Sequence, residues 1–145
     1  MGADLSNAIM SAIGSLRTVN TTLIPVDVVN ANNRCYPADT LKQAVTKMPP
    51  EMIGTVGYVA RPTLDDAAFK ATGFALNERG DLTGQIEVLD TPSGKKLMEM
   101  IKEGKVTFRT SGVGNLDGNK VVDFEINALA AIPKTEDAFG SAGTL

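Results

Sequence analysis

The feature that most constrains the fold is a succession of β-rich runs, bounded by turn residues, that occupies most of the chain. Such runs of β-branched and other apolar residues span 18–29, 53–60, 67–77, 82–90, 106–113 and 120–132. The third and fourth runs are separated by Glu78-Arg79-Gly80-Asp81, and the last two by a segment containing Asp117-Gly118. Both separators are typical of hairpin turns, so a mostly antiparallel sheet is predicted.

Two helices are predicted to pack beside this sheet. The first begins at Pro37, whose fixed φ suits a first helical turn, and it ends before Pro49-Pro50. The second has Thr91 as its N-cap, Pro92 at its first position and Gly104 as the residue that ends it.

The N-terminus carries a third helical pattern, because Leu5, Ile9, Ile13 and Leu16 recur at roughly helical spacing. We predict a short amphipathic helix over residues 5–16. A helix of this length is marginal alone and needs a partner surface. That surface is either the core of the same chain or a neighbouring subunit, and we expect the helix to help the protein oligomerise or dock.

Composition excludes several classes of protein. The chain has 145 residues, 43% of them hydrophobic and 21% charged, which fits one domain with its own core. The net charge of −3 provides no overall attraction to nucleic acid or anionic lipid, and no stretch approaches the roughly 20 apolar residues of a membrane span. Cys35 is the single cysteine and histidine is absent, so neither an internal disulfide nor an ordinary zinc site is expected. We interpret the acidic residues Asp65-Asp66, and Glu136-Asp137 with Asp123 and Glu125, as solvated carboxylates, and we expect no cofactor or metal.

Two short motifs have simple structural interpretations. Arg79-Gly80-Asp81 spells an adhesion triplet but lies where a hairpin requires Gly, so we interpret it as a turn. Gly112-Val113-Gly114 resembles half of a dinucleotide fingerprint. It lies between strands and opens no helix whose N-terminus could hold phosphate, so we interpret it as a turn as well.

Nucleophilic catalysis lacks its usual base here. A serine hydroxyl needs a positioned base at neutral pH, and His is the usual one. Ser111 with Lys105 or Lys120 is the remaining arrangement, and it requires a lysine buried enough to lose its proton.

Several segments, in order, resemble the prohead core proteases of tailed bacteriophages, relatives of the herpesvirus assemblin. Residues 32–37, Asn-Asn-Arg-Cys-Tyr-Pro, are similar to the family's Asn-Gly-Arg-x-Tyr-Pro, with Asn33 in place of a Gly and with the same access to left-handed φ. The other matching segments are 57–62 at the family's Gly-Glu-Leu-x-His-Pro, 82–94 at its strand-to-helix segment, 102–114 at its nucleophile strand, and 123–126, 131–133 and 137–139 at its closing strand.

The departures from the family pattern fall at the catalytic positions. Arg61 stands where the family has its catalytic His, and Arg109 or Thr110, depending on one residue of alignment, stands where it has the nucleophilic Ser. Arg cannot act as a general base, because its pKa stays above about 12. An exposed Arg can instead hold a partner's carboxylate by two hydrogen bonds. The alternative is that Arg61 and Arg109 pair with carboxylates of this chain, such as Asp65 or Glu87.

The resemblance implies a single α+β domain, a mostly antiparallel, barrel-like sheet of about six or seven strands with two packed helices. We place a helical arm at residues 1–17, the protease-like domain at 18–139 and a flexible tail at 140–145.

We expect a non-enzymatic bacteriophage virion protein, a decoration or cement protein that binds the major capsid protein on the capsid surface as a homo-oligomer. No contact with nucleic acid or membrane is expected. The candidate contact residues are Arg61, Arg109, Leu5, Ile9 and Ile13. The alternatives are an internal scaffold or inactive protease partner in prohead assembly, and a divergent serine or threonine prohead protease.

Overall fold

A computed structural model describes residues 14–59 and 61–137. The strands are β1 (Ser15–Ile24), β2 (Glu51–Val56), β3 (Ala67–Leu76), β4 (Leu82–Leu89), β5 (Val106–Asp117) and β6 (Lys120–Pro133), and the helices are α1 (Ala38–Lys47) and α2 (Pro92–Lys102). Two 3₁₀ turns, Leu64–Asp66 and Lys134–Glu136, precede β3 and follow β6.

The six strands form one sheet in the order β1-β4-β3-β2-β6-β5. Neighbouring strands are antiparallel except β2 and β6, which run parallel and pair at Thr55 with Ala130 and at Val56 with Ala131. The sheet curls into a half-barrel, and two helices accompany it. The mostly antiparallel α+β fold is therefore confirmed, although β1 and β5 remain edges of the hydrogen-bonded sheet.

The start of the chain differs from the prediction. Helical spacing predicts that Leu16 is in a helix, yet it lies in β1, which begins at Ser15 opposite Leu89 of β4. Pairing along β4 outweighs the helical spacing there, because a strand hydrogen bonded to a neighbour is favoured over a short, unsupported helix. Residues 5–13 of the predicted helix, including Leu5, Ile9 and Ile13, lie outside the described residues, as does the predicted tail at 140–145.

Both predicted helices within the described residues are confirmed. Oγ1 of Thr91 accepts a hydrogen bond from the Gly94 N–H at 2.9 Å and itself donates to the Ala67 carbonyl of β3. The Gly104 N–H donates to the Ile101 carbonyl at 3.0 Å, which ends the helix. The N-cap therefore does two things: it starts α2 and fixes that start against the sheet.

Two phenylalanines organise the core between the sheet and the helices. Phe69 of β3 and Phe108 of β5 are fully buried and meet edge to face, with ring centroids 5.1 Å apart. Phe69 lies across β2 at Gly54, where a Cβ would sit 1.9 Å from the ring. Gly54 is therefore required by packing, since no side chain fits beneath that ring.

The Arg79-Gly80-Asp81 triplet is confirmed as part of a turn, and its Asp is buried. Oδ1 of Asp81 accepts from the Val26 N–H at 2.9 Å, and Oδ2 accepts from Nδ2 of Asn77 at 3.0 Å. Burial opposes ionisation of Asp81, but these hydrogen bonds and Arg79 outweigh it and lower the pKa of the carboxyl. Asp81 thus ties the hairpin between β3 and β4 to the segment that leaves β1.

Candidate functional site

The residues that the sequence resemblance aligns with the family's nucleophile lie in the first half of β5, where both faces of the strand are covered. Val106 and Phe108 point into the core, and Arg109 lies on the opposite face. An arginine there would normally face solvent, yet Arg109 is only 4% exposed. A buried guanidinium requires partners for its charge and its donors.

Asp137 supplies the charge partner. Nε of Arg109 donates to Oδ1 of Asp137 at 3.0 Å and Nη2 donates to Oδ2 at 2.9 Å, a bidentate pair in which the Asp137 side chain is fully buried. The prediction that Arg109 contacts a partner protein is therefore wrong, because the side chain is inaccessible. The alternative of an internal carboxylate is confirmed for this residue, although the partner is neither Asp65 nor Glu87.

The same guanidinium joins the two edges of the sheet. Nη1 of Arg109 donates to the carbonyl of Thr22 in β1 at 3.1 Å and to that of its neighbour Phe108 in β5 at 2.8 Å. β1 and β5 are the first and last strands of the ladder. One side chain therefore bridges the open side of the half-barrel and also holds the chain just after the second 3₁₀ turn.

Tyr58, after the end of β2, reaches the next residue of β5. Its hydroxyl donates to the Thr110 carbonyl at 2.9 Å, while 52% of the residue remains exposed. Partial burial raises the pKa of Tyr58; the charge of Arg109 offsets part of this rise, and Tyr36 and Asp137 add to it. At neutral pH the hydroxyl is protonated and acts as a hydrogen-bond donor that fixes the loop onto β5.

Arg61 has a different environment from Arg109. It is exposed and forms no ion pair with any residue that the structure describes. The alternative in which it pairs with Asp65 or Glu87 is therefore not observed. Three large apolar residues close to it in sequence are also exposed: Tyr58, Val59 at 39% and Leu64 at 50%. We call these four residues the Arg61 surface.

The loop that carries the Arg61 surface is shaped by its own hydrogen bonds. The Thr63 N–H donates to Oδ2 of Asp66 at 2.8 Å, which caps the 3₁₀ turn that begins at Leu64. At the other end, the Gly57 N–H donates to the Ala131 carbonyl of β6 at 2.8 Å. The surface is therefore held at both ends, and Tyr58 anchors it in between.

The serine and lysine pattern required for an alternative base is not assembled. Ser111 is exposed on β5 and pairs with Ala128 of β6. Lys105 is exposed and lies 3.6 Å from Glu103, and Lys120 pairs with Asp117 at the far end of the hairpin. Neither lysine forms a hydrogen bond with Ser111 within the described ranges.

A groove lies beside the second half of β5, with a volume of about 270 Å³. Tyr36 and Phe124 form one wall, with ring centroids 5.1 Å apart. The prediction of a turn at Gly112 is wrong, because this residue is inside β5. A Cβ there would sit 2.1 Å from the Glu125 carbonyl, so close strand packing explains the Gly.

The matched segment 32–37 has the expected backbone. Asn33 has φ 57°, the left-handed region anticipated for a residue in place of Gly. Its N–H donates to the Asn30 carbonyl at 3.0 Å in the turn that leads to Cys35, and Cys35 forms an isolated β-bridge with Lys120 of β6. The turn therefore places Tyr36 against Phe124.

The interpretation of the acidic residues as solvated carboxylates is wrong for Asp137, whose side chain is buried. Asp66 caps a turn and Asp137 pairs with Arg109. No group of three or more side chains suited to a metal ion occurs among the described residues. Within the same residues, no helix has the length and apolar character to cross a membrane.

Comparison with known proteins supports the fold. The structure is similar to that of the bacteriophage T4 capsid assembly protease, gp21, with a TM-score of 0.57 and 21% sequence identity over 79% of this chain and 80% of that chain. No protein-family model and no curated protein matches the sequence. The expected prohead-protease-like fold is confirmed, and a likeness at this identity carries the fold alone.

Sequence reasoning gives no role to Tyr58 and interprets Asp137 as a solvated carboxylate, which its buried side chain contradicts. Asp137 lies 28 positions from Arg109 and Tyr58 lies 52 from Thr110, so neither pairing leaves a local signal. The unusual feature in the sequence is an Arg within an otherwise uncharged run at the start of β5. A charge in such a run indicates a buried partner elsewhere.

Proposed function

We propose that this chain is a non-enzymatic bacteriophage virion protein, a decoration or cement protein that binds the major capsid protein on the capsid surface. A solved structure with a similar fold is a capsid assembly protease, which supports a role in the phage head. The acidic balance of the chain, with net charge −3, fits a protein that faces away from packaged DNA.

One observation carries the non-enzymatic part of the proposal: Arg109 is buried and bonded to Asp137, Thr22 and Phe108. The family resemblance places the nucleophile at Arg109 or Thr110. In this chain the side chain of Arg109 donates hydrogen bonds to Asp137 and to the Thr22 carbonyl. The Thr110 carbonyl accepts a hydrogen bond from the Tyr58 hydroxyl. This part of β5 serves packing, and both carboxylate oxygens of Asp137 are occupied by hydrogen bonds from Arg109.

The Arg61 surface is the contact that we propose for the capsid protein. Interfaces are enriched in aromatic residues and Arg, and their apolar centre excludes water from the polar contacts. Tyr58, Val59 and Leu64 supply exposed apolar area, and Arg61 supplies a cation that no described carboxylate neutralises. The matching patch on the capsid protein should carry a carboxylate with an apolar border.

Quantitative mass spectrometry of purified virions tests the function. A decoration protein is present in mature heads in copies stoichiometric with the major capsid protein, and it can be labelled from outside the intact particle. Presence only in precursor heads would contradict the proposal and support an internal scaffold or inactive protease partner.

A second experiment addresses enzymatic activity. Thr110→Ala and Ser111→Ala variants should leave every cleavage of this chain and of capsid proteins unchanged during head maturation. Loss of a cleavage in either variant, with the fold retained by circular dichroism, would support a divergent protease instead.

A further inference from the structure

We propose that an apolar groove at the end of α1 binds residues 5–13 of a second copy of this chain. We call it the α1–β3 groove; it has a volume of about 320 Å³ and is lined by Val45, Met48, Pro49, Pro50, Gly73 and Phe74. None of these residues is charged. The groove lies outside the Arg61 surface, so the inference does not depend on the capsid-binding proposal.

A bulge in β3 creates the groove. The register between β3 and β4 shifts between Thr72 and Ala75, and Gly73 has φ +62°. The extra residue moves Phe74 to the side of the sheet that buries Phe69 and Ala71. Gly84 of β4 leaves room for the ring, since a Cβ there would lie 3.3 Å from it. The bulge thus places a large aromatic side chain at the edge of the core.

The end of α1 leaves that aromatic side chain partly uncovered. The helix ends at Lys47, and Met48 then turns into extended backbone before Pro49-Pro50. Val45, Met48 and Phe74 pack against the core but are only partly buried. Apolar side chains left in such a concave patch are typical of a binding site.

The sequence of this chain contains a segment of matching chemistry. Residues 5–13, Leu-Ser-Asn-Ala-Ile-Met-Ser-Ala-Ile, carry no charge, and Leu5, Ile9 and Ile13 recur at intervals of four. Such a pattern is typical of an apolar helix face that binds in a groove. An uncharged apolar segment suits a groove without charged walls, because no charge loses its hydration on binding.

Chain geometry favours a second copy over the same chain. Gly14 is fixed beside the end of β4, where its carbonyl accepts from the Asp90 N–H at 2.8 Å. The bulge lies opposite the other half of β4, beside Gly84 and Gln85. Six residues of strand separate Asp90 from Gly84, or about 20 Å at 3.3 Å per residue. In the helical form that their spacing predicts, residues 5–13 rise about 1.5 Å each, so even Leu5, nine residues from Gly14, reaches only about 14 Å along the helix axis.

A cross-linking experiment on purified protein, without capsids, tests whether residues 5–13 of a second copy bind in the α1–β3 groove. A photo-reactive phenylalanine analogue replaces Ile9 in a mixture of isotopically light and heavy chains. The proposal expects light–heavy cross-links to the peptides that contain Met48 or Phe74. Cross-links confined to chains of one isotope would show binding within the same chain, and cross-links elsewhere would show a different site; either result overturns the proposal.

Matched variants test the energetics by sedimentation analysis. Ile9→Glu and Met48→Glu should each weaken self-association by about tenfold or more, since each places a charge in an apolar contact. Ser11→Glu, off the apolar face, and Gln43→Glu, exposed on α1, introduce the same charge and should leave the association unchanged. Equal effects of test and control variants, or an unaltered mass in all four, would contradict the proposal.

Discussion

The sequence resemblance predicts that Arg61 and Arg109, or Thr110 in place of Arg109, occupy the positions of the family's catalytic pair, and the two arginines have opposite environments in the structure. Arg109 is 4% exposed and uses its donors on Asp137, Thr22 and Phe108. Arg61 is exposed beside apolar residues and pairs with no described carboxylate. The same residue type therefore serves the fold at one position and is available for binding at the other.

The difference follows from hydration. A guanidinium removed from water loses a large solvation energy, so it is tolerated only where fixed acceptors replace the water. An exposed guanidinium keeps its hydration until a partner arrives, and contributes little to folding before then. Substitutions at the two positions should consequently separate stability from binding.

The largest expected effect is at Arg109. Arg109→Met leaves the buried Asp137 carboxylate without its partner and should lower the free energy of unfolding by about 3–5 kcal/mol. Urea denaturation measures the loss. Arg61→Met is the matched control and should differ from the parent by less than about 0.5 kcal/mol. Equal losses in the two variants would remove the distinction between the arginines.

A double variant sharpens that test. Combining Arg109→Met with Asp137→Leu removes both charges and should recover most of the loss, because the penalty arises from the unpaired carboxylate. If the double variant is as unstable as Arg109→Met, the bond to Thr22 across the sheet edges contributes more than the ion pair.

Arg79 and Asp81 provide a second comparison between an exposed and a buried charge, here within one turn. Nε of Arg79 lies 3.2 Å from Oδ2 of Asp81, but the arginine side chain is 80% exposed and the aspartate side chain 7%. Asp81→Ala loses the acceptor for Val26 and should reduce stability by about 1–3 kcal/mol, whereas Arg79→Ala should cost less than about 1 kcal/mol. Thermal unfolding of the two variants measures both losses of stability.

The same aspartate predicts a pH dependence. The pKa of Asp81 is lower in the folded chain than its unfolded value of about 3.9. Its ionised form therefore stabilises the fold above that pH, and the contribution is lost as pH falls through the lower folded pKa. Asp81→Asn should flatten the decline in stability below about pH 4. An identical decline in parent and variant would assign the acid sensitivity to other carboxylates.

A smaller effect is expected at Tyr58. Tyr58→Phe removes the hydrogen bond to the Thr110 carbonyl and should reduce stability by about 1 kcal/mol. Ultraviolet titration offers a control, since the chain has two tyrosines and burial raises the pKa of both. Both should ionise above about pH 10 in the parent, and one titration step should vanish in the variant.

The smallest effect on stability, with the largest on binding, is expected at Arg61. Arg61→Ala should unfold within about 0.5 kcal/mol of the parent and should lose at least about tenfold in affinity for capsids. Arg17→Ala, another exposed arginine outside the Arg61 surface, should bind as the parent does. Co-sedimentation with particles that lack the protein measures the capsid binding of both variants. Equal binding by the two variants would exclude Arg61 from the capsid contact.

Local signals account for the parts of the fold that the sequence predicts well. Thr91, Pro92 and Gly104 mark the ends of α2 through contacts within a few residues of each position. The hairpins at Gly80 and Gly118 are encoded in the same local way. Strand order, in contrast, depends on pairings such as β2 with β6, whose partners lie 75 positions apart.

The candidate site is harder to predict because its residues act across the sheet. Alternation along β5 places Arg109 away from the core, which suggests exposure. Curling of the sheet then brings β1 and Asp137 over that face, and no local pattern encodes this. The exposure of Arg61, in contrast, follows from its place in a loop between two strands, and the structure has it in that loop.

Gly54 carries a consequence for sequence variation. With a Cβ only 1.9 Å from the Phe69 ring, even alanine is excluded, so a library of variants selected for folding should return glycine alone at position 54. Gly118, with φ +64° and no atom within 4 Å of the place that a Cβ would occupy, should accept asparagine or aspartate. The two glycines therefore differ in their tolerance of substitution. Gly118 is replaceable, whereas Gly54 should stay glycine even in relatives whose other residues have diverged.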